Sequence, residues 1–501
     1  MVNRPATQPR ALAAGMLALL ALSAYARTLQ HRFLVYDDPG YVLESPLVTS
    51  TQPGTWQKLW DPRHREGRHL GQYAPVRDSL FRLEYQVGGA RPALFHATNL
   101  LLHAGCTVAL LLALLALEIE LVVAFVTGVI FAIHPVAAEV VAWVSGRKDA
   151  LGLLCCLGSL ALLLRAARAG KVASVVWALA SVGTWALGVL AKPTFIVWPT
   201  LVLAVAWARP GVRPAHRLAR AIGLLVPVAL SAAAALFVAR AIPPDAFSAQ
   251  RASGLEPYPW VMGYALVQYA RALFWPSALA VVHPSRGDLL TAGHPILWSL
   301  PTVALCVLGG ALALRRHRAG VALYACFVLP LLPVLNLLPN NVLWADRFLY
   351  LPRVAPSLLV ASAVVALARS RRPLVRTASL TFAACVGAIL YVVTLTYVST
   401  FESTRAMWTH AARVDPRAYV AQINLAVSDL DDHLPEDAIA HYHMAMRHGI
   451  EKVADRMAAA FTLHAREHDR SCVCRAIAAG RRQGIVFSPD WPHVFGCNQR
   501  P

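Results

Sequence analysis

Charge is what this chain has least of. Of 501 residues, 15% are Asp, Glu, Lys or Arg, whereas 57% are hydrophobic. That balance excludes an ordinary soluble globular domain. Acid is scarcer than base, 27 residues against 46, which leaves a formal net charge of +19. The sequence also lacks a glycine-rich nucleotide loop, a P-loop and a Rossmann fingerprint, which disfavours a nucleotide-linked donor. What it has in quantity is long apolar runs.

A membrane span needs roughly 20 mostly apolar residues. About eleven such stretches are present: 11–29, 94–116, 121–135, 150–166, 172–190, 194–208, 221–240, 297–314, 320–338, 354–368 and 377–399. The stretch 259–282 reads as an interfacial helix, because Tyr258, Trp260, Tyr264, Tyr269, Arg271, Trp275 and His283 stud it with headgroup-level residues. The fold class is therefore all-α, a polytopic helix bundle. An uncleaved first span is expected, since no convincing cleavage site precedes Tyr25-Ala26-Arg27.

The excess of base does not point to nucleic acid. It gathers in short turns: Arg165, Arg168 and Lys171; Arg209, Arg213, Arg217 and Arg220; Arg315, Arg316 and Arg318; Arg369, Arg371, Arg372 and Arg376. Alternating spans place these turns and the N-terminus on one side, the cytoplasm by the positive-inside rule. The long loops and most acids then face the other side, giving four parts: 1–29, the first span; 30–93, the first extracytoplasmic loop; 94–399, the polytopic region; and 400–501, an extracytoplasmic tail.

In that tail a 34-residue period emerges. Leu425 and Ala426 on one helix, then Ala438, Tyr442 and Ala445 after a turn at His433-Leu434-Pro435, match the small and aromatic positions of a tetratricopeptide repeat. Trp408, Ala411 and Pro416 lie one period upstream, and Ala476 and Ala479 one period downstream. A helical hairpin that merely caps the membrane domain would look similar. Six of the nine cysteines lie in spans as small apolar residues. Cys472, Cys474 and Cys497 share the tail. Cys472 and Cys474, two apart on a helix, face differently, so Cys497 pairs with one or the other.

Just beyond the first span stands FLVYDDPGYV, residues 33–42, with adjacent carboxylates Asp37 and Asp38. An ionisable group beside the bilayer is expensive unless it serves a site. An Asx-turn ahead of Pro39-Gly40 is the structural alternative. Five further segments follow in order: YAPVRDSLFRLEYQVGGARPALFHATNLLLHAG (73–105), AIHPVAAEVVAWVSGRKDALG (132–152), LAKPTFIVWP (190–199), YARALFWPSALAVVHP (269–284) and NLLPNNVLWADRFLYLP (336–352). Together with the tail, this series resembles the transmembrane and tetratricopeptide-repeat O-mannosyltransferases and their bacterial relatives.

The resemblance implies a glycosyltransferase of the GT-C class. Such an enzyme moves a sugar, mannose in the named family, from a polyprenyl-phosphate carrier to a hydroxyl of a protein or glycan acceptor. Its partners are that lipid-linked sugar, the acceptor and membrane lipid, with no nucleic acid. A carboxylate must accept the acceptor's proton, a role implied for Asp37 or Asp38. Arginine suits the departing phosphate because its fork engages two oxygens, a role implied for Arg147 and Arg347, with Lys148 adding a point charge. Arg147 and Lys148 could equally anchor headgroups, and Asp346-Arg347 could be a local ion pair. His134, ahead of a helix-breaking proline, and Glu139 are expected to face the site, with Arg77, Asp346 and Tyr350 in support. His-x4-Glu is not zincin spacing and no third ligand is evident; a divalent metal, Mg or Mn, bridging Asp38 and the phosphate is compatible with these residues without being required by them.

Three departures stand out. Ala74 replaces a usual arginine, with Arg77 nearby; Pro193 replaces an acid after Lys192; and Asp346 replaces glutamate. A non-catalytic scaffold and a lipid-linked-sugar flippase are the competing readings. The near absence of charge inside the spans speaks against the flippase. Composition points weakly to a bacterial inner membrane.

Overall fold

The computed structural model describes residues 7–64, 66–68, 72–208, 226, 229–237, 240, 259–283, 295–315, 317–335, 342–448, 470–482 and 497. Nine residues of the expected span 221–240, the basic residues Arg209, Arg213, Arg217, Arg220 and Arg316, and the stretch 449–469 ahead of the third repeat lie outside the described residues. No strand occurs among the described residues, and the architecture is all-α and polytopic. Two compact units are formed: residues 1–277 with 298–402, and residues 278–297 with 403–501.

The first unit starts with α1 (Thr7–Tyr25). It continues through α2 (Pro75–Gly88), α3 (Pro92–Ala116), α4 (Leu121–Ile133), α5 (Ala138–Ala142), α6 (Lys148–Ala166) and α7 (Lys171–Ala191). Then come α8 (Trp198–Ala208), α9 (Pro259–Phe274), α10 (Pro295–Leu314), α11 (Arg318–Leu331), α12 (Val354–Ala368) and α13 (Pro373–Ser399). Among the described residues, six helices are long and apolar enough to cross a bilayer: Gln8–Gln30, Pro92–Ala116, Val144–Ala166, Lys171–Ala191, Leu297–Leu314 and Pro373–Ser399. Three of the remaining expected spans are shorter apolar helices: Pro193–Ala208, Arg318–Val334 and Val354–Ala368. The stretch 121–135 is broken instead. Leu121–Ile133 and Pro135–Ala142 meet at a 55° bend, because Pro135 cannot continue the helix.

Apolar faces pack α1 against α3 and α4, α6 against α7, and α8 against α11. Helix α9 buries Val261, Ala265 and Tyr269, while Phe274 at its end and Trp275 just beyond it are exposed. Outside the spans, α2 turns charge inward, with Arg77, Asp78, Arg82 and Glu84 all buried. Such a face is tolerable only where each charge finds a partner.

The second unit holds α14 (Thr404–Val414), α15 (Tyr419–Asp431), α16 (Pro435–His448) and α17 (Arg470–Arg482). Its core joins Ile423, Ala426, Leu430, Ala438, Tyr442, Ala445, Ala476 and Ala479, the small and aromatic pattern read in the sequence. His433 turns the chain at φ +60°; its N–H bonds the Leu430 carbonyl, and the Leu434 N–H bonds the Asp429 carbonyl. That is the Schellman end of α15. The open choice of disulfide resolves to Cys474–Cys497, with Cα atoms 5.3 Å apart, while Cys472 is buried outside the bridge.

Candidate functional site

The site grows from two loops that Asp38 ties together. Asp38 precedes the Pro39–Leu43 turn and has no solvent exposure. Its Oδ2 accepts from the Leu34 N–H at 2.9 Å, and its Oδ1 from the Ser145 N–H at 3.0 Å and the Ser145 hydroxyl. Burial raises its pKa to about 6 against the lowering effect of those donors. Asp38 is thus a staple between residues 33–42 and the Val144–Arg147 turn. That turn can lie where it does because residue 146 is glycine. A Cβ there would stand 2.3 Å from the Glu139 carbonyl oxygen.

Asp37 behaves differently. It is half-buried and lies within electrostatic reach of Lys148 and Arg347. The neighbouring Tyr36 stacks on Trp143 at 5.9 Å. The Arg347 guanidinium lies 5.8 Å from the same Trp143 ring and 5.2 Å from Phe348. Arg347 does not pair with Asp346. It is held instead by Glu139, fully buried on α5, whose carboxylate takes both the Arg347 backbone N–H at 2.9 Å and the Nη1. Among the described residues no partner takes Arg347 Nε or Nη2. Asp346 is buried beside Glu139 and Tyr397.

Lys148 starts α6, half-buried, 5.7 Å from the Tyr41 ring. Its charged neighbours are Arg77, Arg347, Lys192 and Asp37. Among the described residues its ammonium has no hydrogen bond or ion pair. Arg77 sits across the same Tyr41 ring at 4.1 Å and is paired with Asp78 at 2.7 Å. Lys192, left without the acid that Pro193 displaces, pairs with Asp149 of the SGRKD turn.

Three expected residues lie elsewhere. Arg147 is fully buried, its fork already taken by Glu84 and by the Phe95 carbonyl at 2.9 Å, with Phe81 4.4 Å beneath it. His134 caps the turn after the break: its Nδ1 accepts from the Val136 N–H at 3.3 Å, and its Nε2 meets the Leu273 carbonyl at 3.0 Å. Those two bonds suit a neutral ring and leave no nitrogen for a ligand. Tyr350 lies in the bundle interior, its hydroxyl 2.7 Å from His103 Nδ1. Sequence reasoning missed Glu84, Ser145 and Asp149. All three stand in segments already singled out, Glu84 in 73–105 and Ser145 and Asp149 in 132–152, but nothing local marks them as partners of distant groups.

A metal bridging Asp38 does not fit. Mg²⁺ keeps several of its waters, whereas this carboxylate is closed to solvent and accepts three donors. Among the described residues no group of three or more His, Cys, Asp or Glu could hold an ion.

This chain is 34% identical over 149 residues to the Homo sapiens protein O-mannosyl-transferase TMTC1, covering 28% of this chain and 17% of that protein. It is 34% identical over 162 residues to the Mus musculus protein of the same name, covering 30% and 17%. It is 28% identical over 193 residues to the Homo sapiens protein O-mannosyl-transferase TMTC4, covering 34% and 26%. The resemblance to these O-mannosyl-transferases is therefore a finding, over about a sixth of the length of the first two relatives. No protein-family model matches, and no solved structure matches.

Proposed function

We propose that this chain is a GT-C type glycosyltransferase of a bacterial inner membrane, working on the extracytoplasmic side. It transfers mannose from a polyprenyl-phosphate-linked donor to a hydroxyl of a protein or glycan acceptor. The observation that carries this reading is Lys148: an ammonium with no partner among the described residues, set among Arg77, Arg347 and Lys192, with the Asp37 carboxylate near it. Clustered cations at a partly buried position are costly alone and are relieved by an anion such as phosphate. Arg347, fixed by Glu139 and the rings of Trp143 and Phe348, offers its Nε and Nη2 to the same anion without further ordering.

Asp37 then acts as general base. The acceptor oxygen attacks the anomeric carbon as its proton passes to Asp37. The sugar–phosphate C–O bond breaks, and polyprenyl phosphate leaves with the electron pair toward Lys148 and Arg347. Asp38 positions Asp37 by fixing the loop. Resemblance to named O-mannosyl-transferases supports the choice of sugar.

The test incubates purified protein in nanodiscs with labelled polyprenyl-phosphate mannose and an extracytoplasmic extract. Label appearing on protein or glycan, and lost with Asp37→Asn, is the expected result. A wild-type protein that transfers no label to any acceptor overturns the reading.

A further inference from the structure

Beside the cation cluster lies a small pocket of about 20 Å³, room for one hydroxyl-sized group, walled in part by Asp149, Lys192, Thr194, Pro330, Val334 and Phe348. Asp149 is 5% exposed; its Oδ1 pairs with Lys192, but its Oδ2 is buried with no hydrogen-bond partner among the described residues. We propose that this pocket reads a hydroxyl of the sugar being transferred, with Asp149 Oδ2 as the acceptor. The inference rests on the transferase reading given above.

A buried carboxylate oxygen without a donor is costly, and each such group calls for an explanation. The charges around it select the ligand. Asp149 repels an anion at this spot, while Lys192 and the nearby Arg347 disfavour a cation. What remains is a neutral group that can give one hydrogen bond and receive another. A carbohydrate hydroxyl does both: its O–H donates to Asp149 Oδ2, and its oxygen accepts from Lys192, whose ammonium has three donors. Phe348 supplies an apolar ring, 5.3 Å from Lys192 Nζ, against which the C–H face of a hexose can lie.

Position agrees with chemistry. Asp149 and Lys192 are both electrostatic neighbours of Arg347, and Lys192 is one of Lys148. A sugar held here would keep its anomeric phosphate at the cations. Asp149 and Lys192 would thus decide which hexose is accepted, as buried polar groups that a wrong sugar leaves unpaired.

The test measures equilibrium binding of labelled polyprenyl-phosphate mannose to the full chain in nanodiscs, with a panel of donors each lacking one hydroxyl. In the wild type, one deoxy donor binds roughly 10- to 100-fold more weakly than the parent. The double variant Asp149→Asn/Lys192→Gln removes both charges together, so neither is left buried and uncompensated; thermal unfolding checks that it folds. In that variant the penalty for the same deoxy donor disappears. Equal binding of every deoxy donor, or a penalty that persists in a folded double variant, overturns this inference alone. Hydroxyl-dependent binding without any transfer would overturn only the transferase reading. Failure of the parent donor to bind would overturn both.

Discussion

Replacing the two adjacent aspartates one at a time separates two roles that look identical in the sequence. Asp37→Asn keeps volume and removes basicity at a half-buried position, so folding is unchanged while turnover falls ~10²–10⁴-fold, the usual cost of losing a general base. Asp38→Asn acts on structure. The amide can accept at one end only, so either the Leu34 N–H or the Ser145 N–H confronts a donor; both residues are buried, and one unsatisfied N–H costs about 1–3 kcal/mol. Against that, the amide removes a buried charge. With its pKa raised from 3.8 to about 6, ionised Asp38 costs about 3 kcal/mol at pH 7. The folded state holds this proton more tightly than the unfolded chain. On this group's account, wild-type stability therefore falls as pH rises from about 4 to about 6 and is level above. Thermal unfolding in detergent across pH 4–8 should show that slope in the wild type and in Asp37→Asn, and its absence in Asp38→Asn. Near-wild-type turnover of Asp37→Asn, or an unchanged pH slope in Asp38→Asn, would refute the assignment.

Other outcomes follow from the same geometry. Glu139→Gln or Arg347→Gln alone should destabilise by about 3–5 kcal/mol, since each strands a charge in a buried pair, and the double variant by less than the sum; strict additivity in a double-mutant cycle would count against the pair. Arg147→Lys should lower thermal stability by about 1–3 kcal/mol through lost contact with Glu84 and Phe95, leaving donor KM unchanged; the reverse pattern would return Arg147 to the phosphate. Cys474→Ser should destabilise the second unit by about 2–4 kcal/mol under non-reducing conditions, and no difference from wild type would show the bridge unformed. His433→Gly should stabilise that unit by about 0.5–1 kcal/mol because φ +60° suits glycine; a lower midpoint would mean the imidazole makes a contact worth more than the strain.

Much of this protein follows from its own composition. Apolar runs of span length, interrupted by basic turns, dictate an all-α membrane architecture, because backbone groups in lipid must be satisfied within a helix. The helix break was legible too, since Pro135 removes a donor wherever it falls. So was the tail's core, where the repeat pattern puts Tyr442 and the small alanines Ala426, Ala438, Ala445, Ala476 and Ala479 into one buried cluster. The roles within the site were not. Asp37 and Asp38 are chemically the same residue; only the approach of Ser145, 107 positions away, makes one a buried staple and leaves the other near the cations. Arg147 and Lys148 are likewise adjacent, yet Glu84 takes the first and no residue described here takes the second. Glu139 meets Arg347 across 208 positions. Which charge remains available for chemistry depends on partners far away in the chain, and local sequence carries no record of that distance.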